Sequence, residues 1–167
     1  MERESLILTS DNHGQTLRIG EIIGKSLEPG TIIRLKGELG AGKTVFVKGL
    51  ARGLDVEEEP ASPTFVILNC YEGRLPLYHF DLYRLSDADE LSGIGFEEFF
   101  FGDGVTAVEW ADRVPEVFPE DSLCVEITIP AIAGSKDGYA AARKIIIEGN
   151  KEWVLSFKNT AAQASLI

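Results

Sequence analysis

Apolar positions along the chain alternate between two periods, every second residue in some stretches and every third or fourth in others. Ser5 to Thr9 reads as a short strand. Ser10 or Asp11 then caps a predicted helix to about Ser26, with Leu17, Ile19, Ile22, Ile23 and Leu27 on its apolar face. After the turn at Pro29-Gly30, Thr31 to Leu35 is a β-branched strand. Helical spacing returns from Val45 to Leu54 through Phe46, Val47, Leu50, Ala51 and Leu54, with Gly53 as the expected C-terminal stop. Asp55 to Pro63 is an acidic, proline-containing loop. Phe65 to Tyr71 and Leu77 to Tyr83 form a predicted antiparallel hairpin across Glu72-Gly73-Arg74. Asp87 to Glu90 opens a helical segment carrying Leu91, Phe96, Phe99 and Phe100, closed by Gly102-Asp103-Gly104. Val105 to Val108 is a short strand of the buried type, followed by Glu109 and Trp110. Leu123 to Ile129 and Arg143 to Glu148 alternate cleanly and predict a second hairpin across Ala133 to Gly138. Asn159 to Ile167 shows no pattern and is expected to fray.

Strands alternating with helices give an α/β fold, and the two hairpins make its sheet mixed. Between the strand at Thr31 and the helix at Val45 lies Gly37-Glu38-Leu39-Gly40-Ala41-Gly42-Lys43-Thr44, a match to G-x-x-x-x-G-K-[ST]. Strand, glycine loop and helix are the context this motif needs. Glycines tolerate the dihedrals that turn backbone N–H groups inward onto a phosphate. The following helix N-terminus adds positive potential there. Lys43 supplies a charge for the β/γ-phosphates and Thr44 a hydroxyl for magnesium. The loop and its first helical neighbour, Val45, are the predicted nucleotide contacts. The fold class is therefore a P-loop nucleoside-triphosphatase sandwich, with a mixed, partly antiparallel central sheet flanked by helices. Its 167 residues fit a single domain, 1–167.

Composition narrows the picture. No apolar run reaches the roughly 20 residues that span a bilayer. The charged start, Met1 to Glu4, is not a secretory signal. Cys70 and Cys124 fall in strand-like stretches and are expected to be buried and reduced, as in a cytoplasmic protein. With 16 basic against 27 acidic residues the net charge is −11. Nucleic-acid binders carry a basic face that displaces counterions, and no such cluster of lysine and arginine occurs here. Any nucleic acid in the pathway is expected to be touched by a partner.

Hydrolysis needs an acid to place magnesium and a group to orient the attacking oxygen. Glu109 ends an apolar strand at the expected distance after the loop, and either role suits it; a solvated strand-end acid is the bland alternative. His79, Asp81 and Tyr83 share one face of a strand by alternation. That face is either part of a site or the solvent side of an edge hairpin. His79 taken singly reads as a hydrogen-bonded structural residue, and His13 sits in the first helix. In Ser62-Pro63-Thr64-Phe65, Thr64 lies where nucleotide switches place a magnesium or γ-phosphate contact, although Ser-Pro-Thr is also ordinary turn chemistry. Trp110 either covers the nucleotide or packs in the core.

The phosphate loop, Ser62-Pro63-Thr64-Phe65, His79-Phe80-Asp81-Leu82-Tyr83-Arg84, Glu90-Leu91 with Gly95 and Glu98, and Glu109-Trp110-Ala111 together resemble the TsaE (YjeE) family over about residues 5 to 150. The resemblance implies a small ATPase required for threonylcarbamoyladenosine modification of tRNA, acting with TsaB and TsaD and touching tRNA only through them. It implies ATP and Mg2+ as ligands, with Lys43 and the loop on the phosphates and Thr44 on magnesium. Thr64 would lie in a switch-like segment, and Asp81 and Glu109 would be the acids of hydrolysis.

Three other readings share the loop. A small-molecule kinase needs a lid of clamping arginines, whereas Arg74, Arg84 and Arg113 are scattered. A regulatory GTPase needs Asn-Lys-x-Asp, and Asn150-Lys151-Glu152-Trp153 lacks the aspartate. A non-catalytic, nucleotide-gated assembly module would use the same residues for binding alone.

Overall fold

The computed structural model describes residues 1–62, 67–130 and 142–167. Its strands are β1 (Arg3–Ser10), β2 (Ile32–Lys36), β3 (Leu68–Tyr71), β4 (Leu77–Asp81), β5 (Val105–Glu109), β6 (Leu123–Thr128) and β7 (Arg143–Asn150). Its helices are α1 (His13–Ser26), α2 (Lys43–Gly53), α3 (Ala88–Gly93), α4 (Glu97–Phe100) and α5 (Lys151–Gln163). The strands form one sheet in the order β1-β7-β6-β2-β5-β4-β3. β6, β2, β5 and β4 run parallel, while β3, β7 and β1 are antiparallel to their neighbours. Both predicted hairpins are present, and the sheet is mixed; the connection at Ala133 to Gly138 lies outside the described residues.

Alternation sends each strand's residues to two cores. Ile33, Leu35, Val105, Ala107, Ile145 and Ile147 face a layer built by α1, α2 and α5. Ile32, Phe80, Leu82 and Val108 point the other way, onto Leu91, Phe96 and Phe100 of the α3–α4 segment. Burying each such aliphatic or aromatic side chain contributes about 1.5–3 kcal/mol. β5, all of whose residues are buried, lies between β2 and β4, so the carboxyl ends of three parallel strands open side by side.

Several local expectations change. Asn12, not Ser10 or Asp11, caps α1: its side chain accepts from the Gln15 N–H at 2.9 Å, while the Ser10 hydroxyl is spent on Asn12 O and Thr16 Oγ1. The α3–α4 segment is two short helices, broken where Gly95 takes φ +70°. Cys70 is exposed, because Tyr71 takes the inward position on β3; Cys124 is buried, and both thiols are free. The C-terminal segment does not fray from residue 159. α5 continues to Gln163, with Asn150 as its cap and Val154, Phe157 and Ala161 buried at helical spacing.

α2 ends at Gly53, as expected, but this glycine has a second role. It belongs to a close helix crossing: Gly20 and Gly24 of α1 meet Gly49 and Gly53 of α2. A Cβ at Gly49 would stand 2.1 Å from Leu17 O, and one at Gly53 2.2 Å from Glu21 O. The two backbones are thus in direct contact, which fixes where the N-terminus of α2 lies. Among the described residues no helix is long and apolar enough to cross a membrane.

Candidate functional site

The chain leaves β2 at Lys36 and enters α2 at Lys43 through the glycine loop. Gly37, Gly40 and Gly42 hold φ of +148°, +80° and +110°, values that a side chain would strain. At Gly37 a Cβ would also meet Ile127 O at 2.5 Å. Gly42 occupies the N-cap of α2 and supplies no side-chain oxygen, so the first-turn N–H groups of this 11-residue helix face outward uncapped. The first backbone bond that closes the turn runs from Phe46 N to Gly42 O at 2.9 Å.

Lys43 is nearly buried. Its Nζ donates to Gly37 O, and to Glu38 O at 3.1 Å, and lies 3.9 Å from the centroid of the Trp110 ring. Burial lowers its pKa from the ordinary value, opposed by the carboxylates of Glu109, Asp81, Asp112 and Glu38. Trp110 itself holds a left-handed backbone, φ 58°, directly after β5, and its ring packs against Tyr83 at 5.0 Å. It is half-buried at the rim of the site, between the two roles the sequence left open.

The predicted acids come together. Asp81 and Glu109 are register partners at the carboxyl ends of β4 and β5. Glu109 is 1% exposed. Its Oε1 accepts from Thr44 Oγ1 at 3.0 Å, and its Oε2 bonds His79 Nε2 at 2.9 Å. Asp81 is half-buried; its Oδ2 accepts from Ser62 Oγ at 3.0 Å and its Oδ1 from Tyr83 N at 2.9 Å. His79 and Asp81 do share the α2 side of β4, whereas Tyr83 lies beyond the strand end and is largely exposed. Thr64 lies outside the described residues, so its predicted contact has no geometry here; Ser62, two residues earlier, reaches the site through Asp81.

A cavity of about 270 Å3 joins these groups, lined by Leu39 to Val45, Ser62, Asp81, Glu109, Trp110 and His13. A second cavity, about 330 Å3, opens at the far ends of β2 and β7 around Thr31, Asn150 and Trp153, away from the glycine loop and both strand-end acids.

Two residues at the site, Arg143 and His13, are not among the site residues expected from the sequence. Arg143, at the start of β7, is 1% exposed, and its guanidinium donates to Ala41 O at 3.1 Å and Gly40 O at 3.4 Å. These bonds tie two carbonyls of the glycine loop to the start of β7. Its signal was legible: the alternation that buries Ile145 and Ile147 buries Arg143 too, a charge in phase with the core. His13, the first residue of α1, lines the cavity, which links α1 to the site. Its pKa is lowered by burial first and then by Arg143 and Lys48. Arg74, weighed above as a clamp, is committed elsewhere: its guanidinium donates to Gly24 O at 3.0 Å and caps the end of α1.

The model of the TsaE family, "Threonylcarbamoyl adenosine biosynthesis protein TsaE", matches residues 10–136. A tRNA threonylcarbamoyladenosine biosynthesis protein TsaE from Treponema pallidum is 46% identical over 116 residues, 70% of this chain and 86% of that protein. Its namesake in Bacillus subtilis is 43% identical over 117 residues, covering 70% and 73%. The crystal structure of Bacillus subtilis YdiB superposes with a TM-score of 0.77 at 29% identity, over 99% of each chain. A family match over residues 10–136, which include the glycine loop, Asp81 and Glu109, together with relatives this similar, means that the chain belongs to the TsaE family.

Proposed function

We propose that this protein is a single-domain P-loop ATPase that binds ATP with Mg2+ and hydrolyses it slowly, in support of threonylcarbamoyladenosine modification of tRNA. The observation that carries the reading is the Thr44–Glu109 hydrogen bond beside an uncapped helix N-terminus and a buried lysine. Outward amides, a helix dipole and one ammonium are what a triphosphate needs. Gly37 to Val45 would make these contacts, with Lys43 on the β/γ-phosphates. Lys43 bonds carbonyls of its own loop, so phosphate oxygens would replace those acceptors at little electrostatic cost.

Among the described residues no group of three His, Cys, Asp or Glu side chains forms a metal cage. A divalent ion here would share its coordination with phosphate oxygens, as Mg2+ does in phosphoryl-transfer sites. Thr44 and Glu109 fit that ion, with Asp81 one strand away. Bound there, Mg2+ would neutralise charge developing on the phosphates. The geometry favours Glu109 on the magnesium side, since it touches the Thr44 hydroxyl. Asp81 then suits the attacking water, being more open and tied to the segment that leads into Thr64.

The relatives are named for tRNA threonylcarbamoyladenosine biosynthesis, which supports the pathway. The net charge of −11 supports a division of labour in the cytoplasm, where TsaB- and TsaD-type partners hold the tRNA. Calorimetry with Mg-ATP and a hydrolysis assay test the proposal on the wild type and Lys43→Ala. Binding and slow turnover by the wild type, both largely lost in the variant, are expected. An ATP-inert wild-type chain, or a variant indistinguishable from it, would refute it.

A further inference from the structure

We infer that His79 is a positioning residue: its imidazole pins the Glu109 carboxylate so that the second oxygen stays on the Thr44 hydroxyl. His79 lies in the middle of β4 and is 0% exposed. A carboxylate accepts and does not donate, so the proton of the 2.9 Å bond to Glu109 Oε2 resides on Nε2. The other ring nitrogen, Nδ1, is buried and has no hydrogen-bond partner among the described residues.

That orphan argues against a purely structural role. Burying a polar atom without a partner is unfavourable, and a leucine at this position would fill the space without the penalty. A side chain kept for stability would have both ring nitrogens satisfied; this one has satisfied only the nitrogen that faces Glu109. Local violations of this kind concentrate where a site needs them.

The surroundings make the reach possible. His79 pairs in register with Ala107, and Asp81 with Glu109. The ring therefore crosses diagonally to the next inward residue of β5, over the small side chain of Ala107. The terminal torsion of a glutamate is soft, so a single contact leaves its carboxylate free to turn. Thr44 on Oε1 and His79 on Oε2 remove that freedom. The inference rests on the ATPase reading for its kinetic consequence, but not for its geometry.

Three variants test it. His79→Leu keeps the apolar volume and removes the donor; His79→Gln returns an N–H at nearly the reach of Nε2; His79→Asn is equally polar but too short. His79→Leu and His79→Asn are expected to lower kcat about tenfold or more, because a misplaced group costs rate steeply. The dissociation constant for ATP without magnesium stays within about threefold, since the loop is untouched. His79→Gln recovers kcat to within about threefold of wild type, and Asn does not. Crystal structures of the Leu or Asn variant are expected to show Glu109 Oε1 turned away from Thr44 Oγ1. Equal kcat in Gln and Asn, or Glu109 still seated on Thr44 in either shortened variant, would overturn the inference. If the wild type proves inert towards ATP, the ATPase reading fails on its own, and the crystal structures still decide this one.

Discussion

Gly49→Ala sets two known effects against each other. Alanine is the better helix former by about 1 kcal/mol, so the substitution would stabilise an exposed helix. At Gly49, however, the new methyl would lie 2.1 Å from Leu17 O, where real Cβ atoms keep at least 3.0 Å. The α1 and α2 backbones must therefore part by about 0.9 Å, the difference between those two distances. A gap of that size forfeits a quarter to a half of each dispersion contact across the crossing. Overpacking of this kind costs about 1–3 kcal/mol, which offsets the gain in propensity at its lower end and outweighs it above that. For a chain of 167 residues each kcal/mol moves Tm by about 2–4 °C, so a net loss of up to about 2 kcal/mol lowers Tm by up to about 8 °C. Gly93→Ala is the control: a Cβ there meets nothing within 4 Å, and Tm is expected to hold or rise. Calorimetric melting of both variants decides the matter. A Gly49→Ala protein as stable as the wild type would show that the glycine contacts do not set the helix spacing.

Glu109→Gln and Asp81→Asn are each expected to remove ATP hydrolysis while ATP still binds; wild-type turnover in either would strike that acid from the mechanism. Arg143→Met leaves the Ala41 and Gly40 carbonyls without their donor, and is expected to lower stability by about 1–3 kcal/mol and weaken ATP binding; unchanged values in melting and calorimetry would refute the brace. Burial holds the Lys43 pKa below the ordinary 10.5, so its charged form is the costly one when no phosphate is present. A bound phosphate favours that charged form. ATP affinity should therefore weaken as pH rises through a value below 10.5, and a flat affinity across the alkaline range, followed by calorimetry, would count against the role of Lys43.

Much of the site was legible in the chain because it is written locally. Glycine spacing, the strand before it and the helix after it are dihedral and periodic properties of neighbouring residues, so the loop from Gly37 to Thr44 was readable in full. Glu109 was legible as an acid at the end of an apolar strand, whereas Asp81 was legible only as one of three polar residues sharing a strand face until the family resemblance gave it a role. The helix α5 was also locally encoded, through Asn150 and the spacing of Val154, Phe157 and Ala161, and went unread. Other features have no local signature. Gly20, Gly24, Gly49 and Gly53 look like weak points in two helices until the helices are brought together.

The sequence by itself determined which segments are strands and helices, where a phosphate loop could form and which carboxylates were available. Tertiary structure alone decided that Glu109 meets Thr44 across 65 residues, that His79 holds its other oxygen, and that Arg143 braces the loop across 102 residues. Periodicity fixes which face of a strand a side chain occupies. The neighbour it finds depends on strand order and register, which are set only when all the layers pack at once.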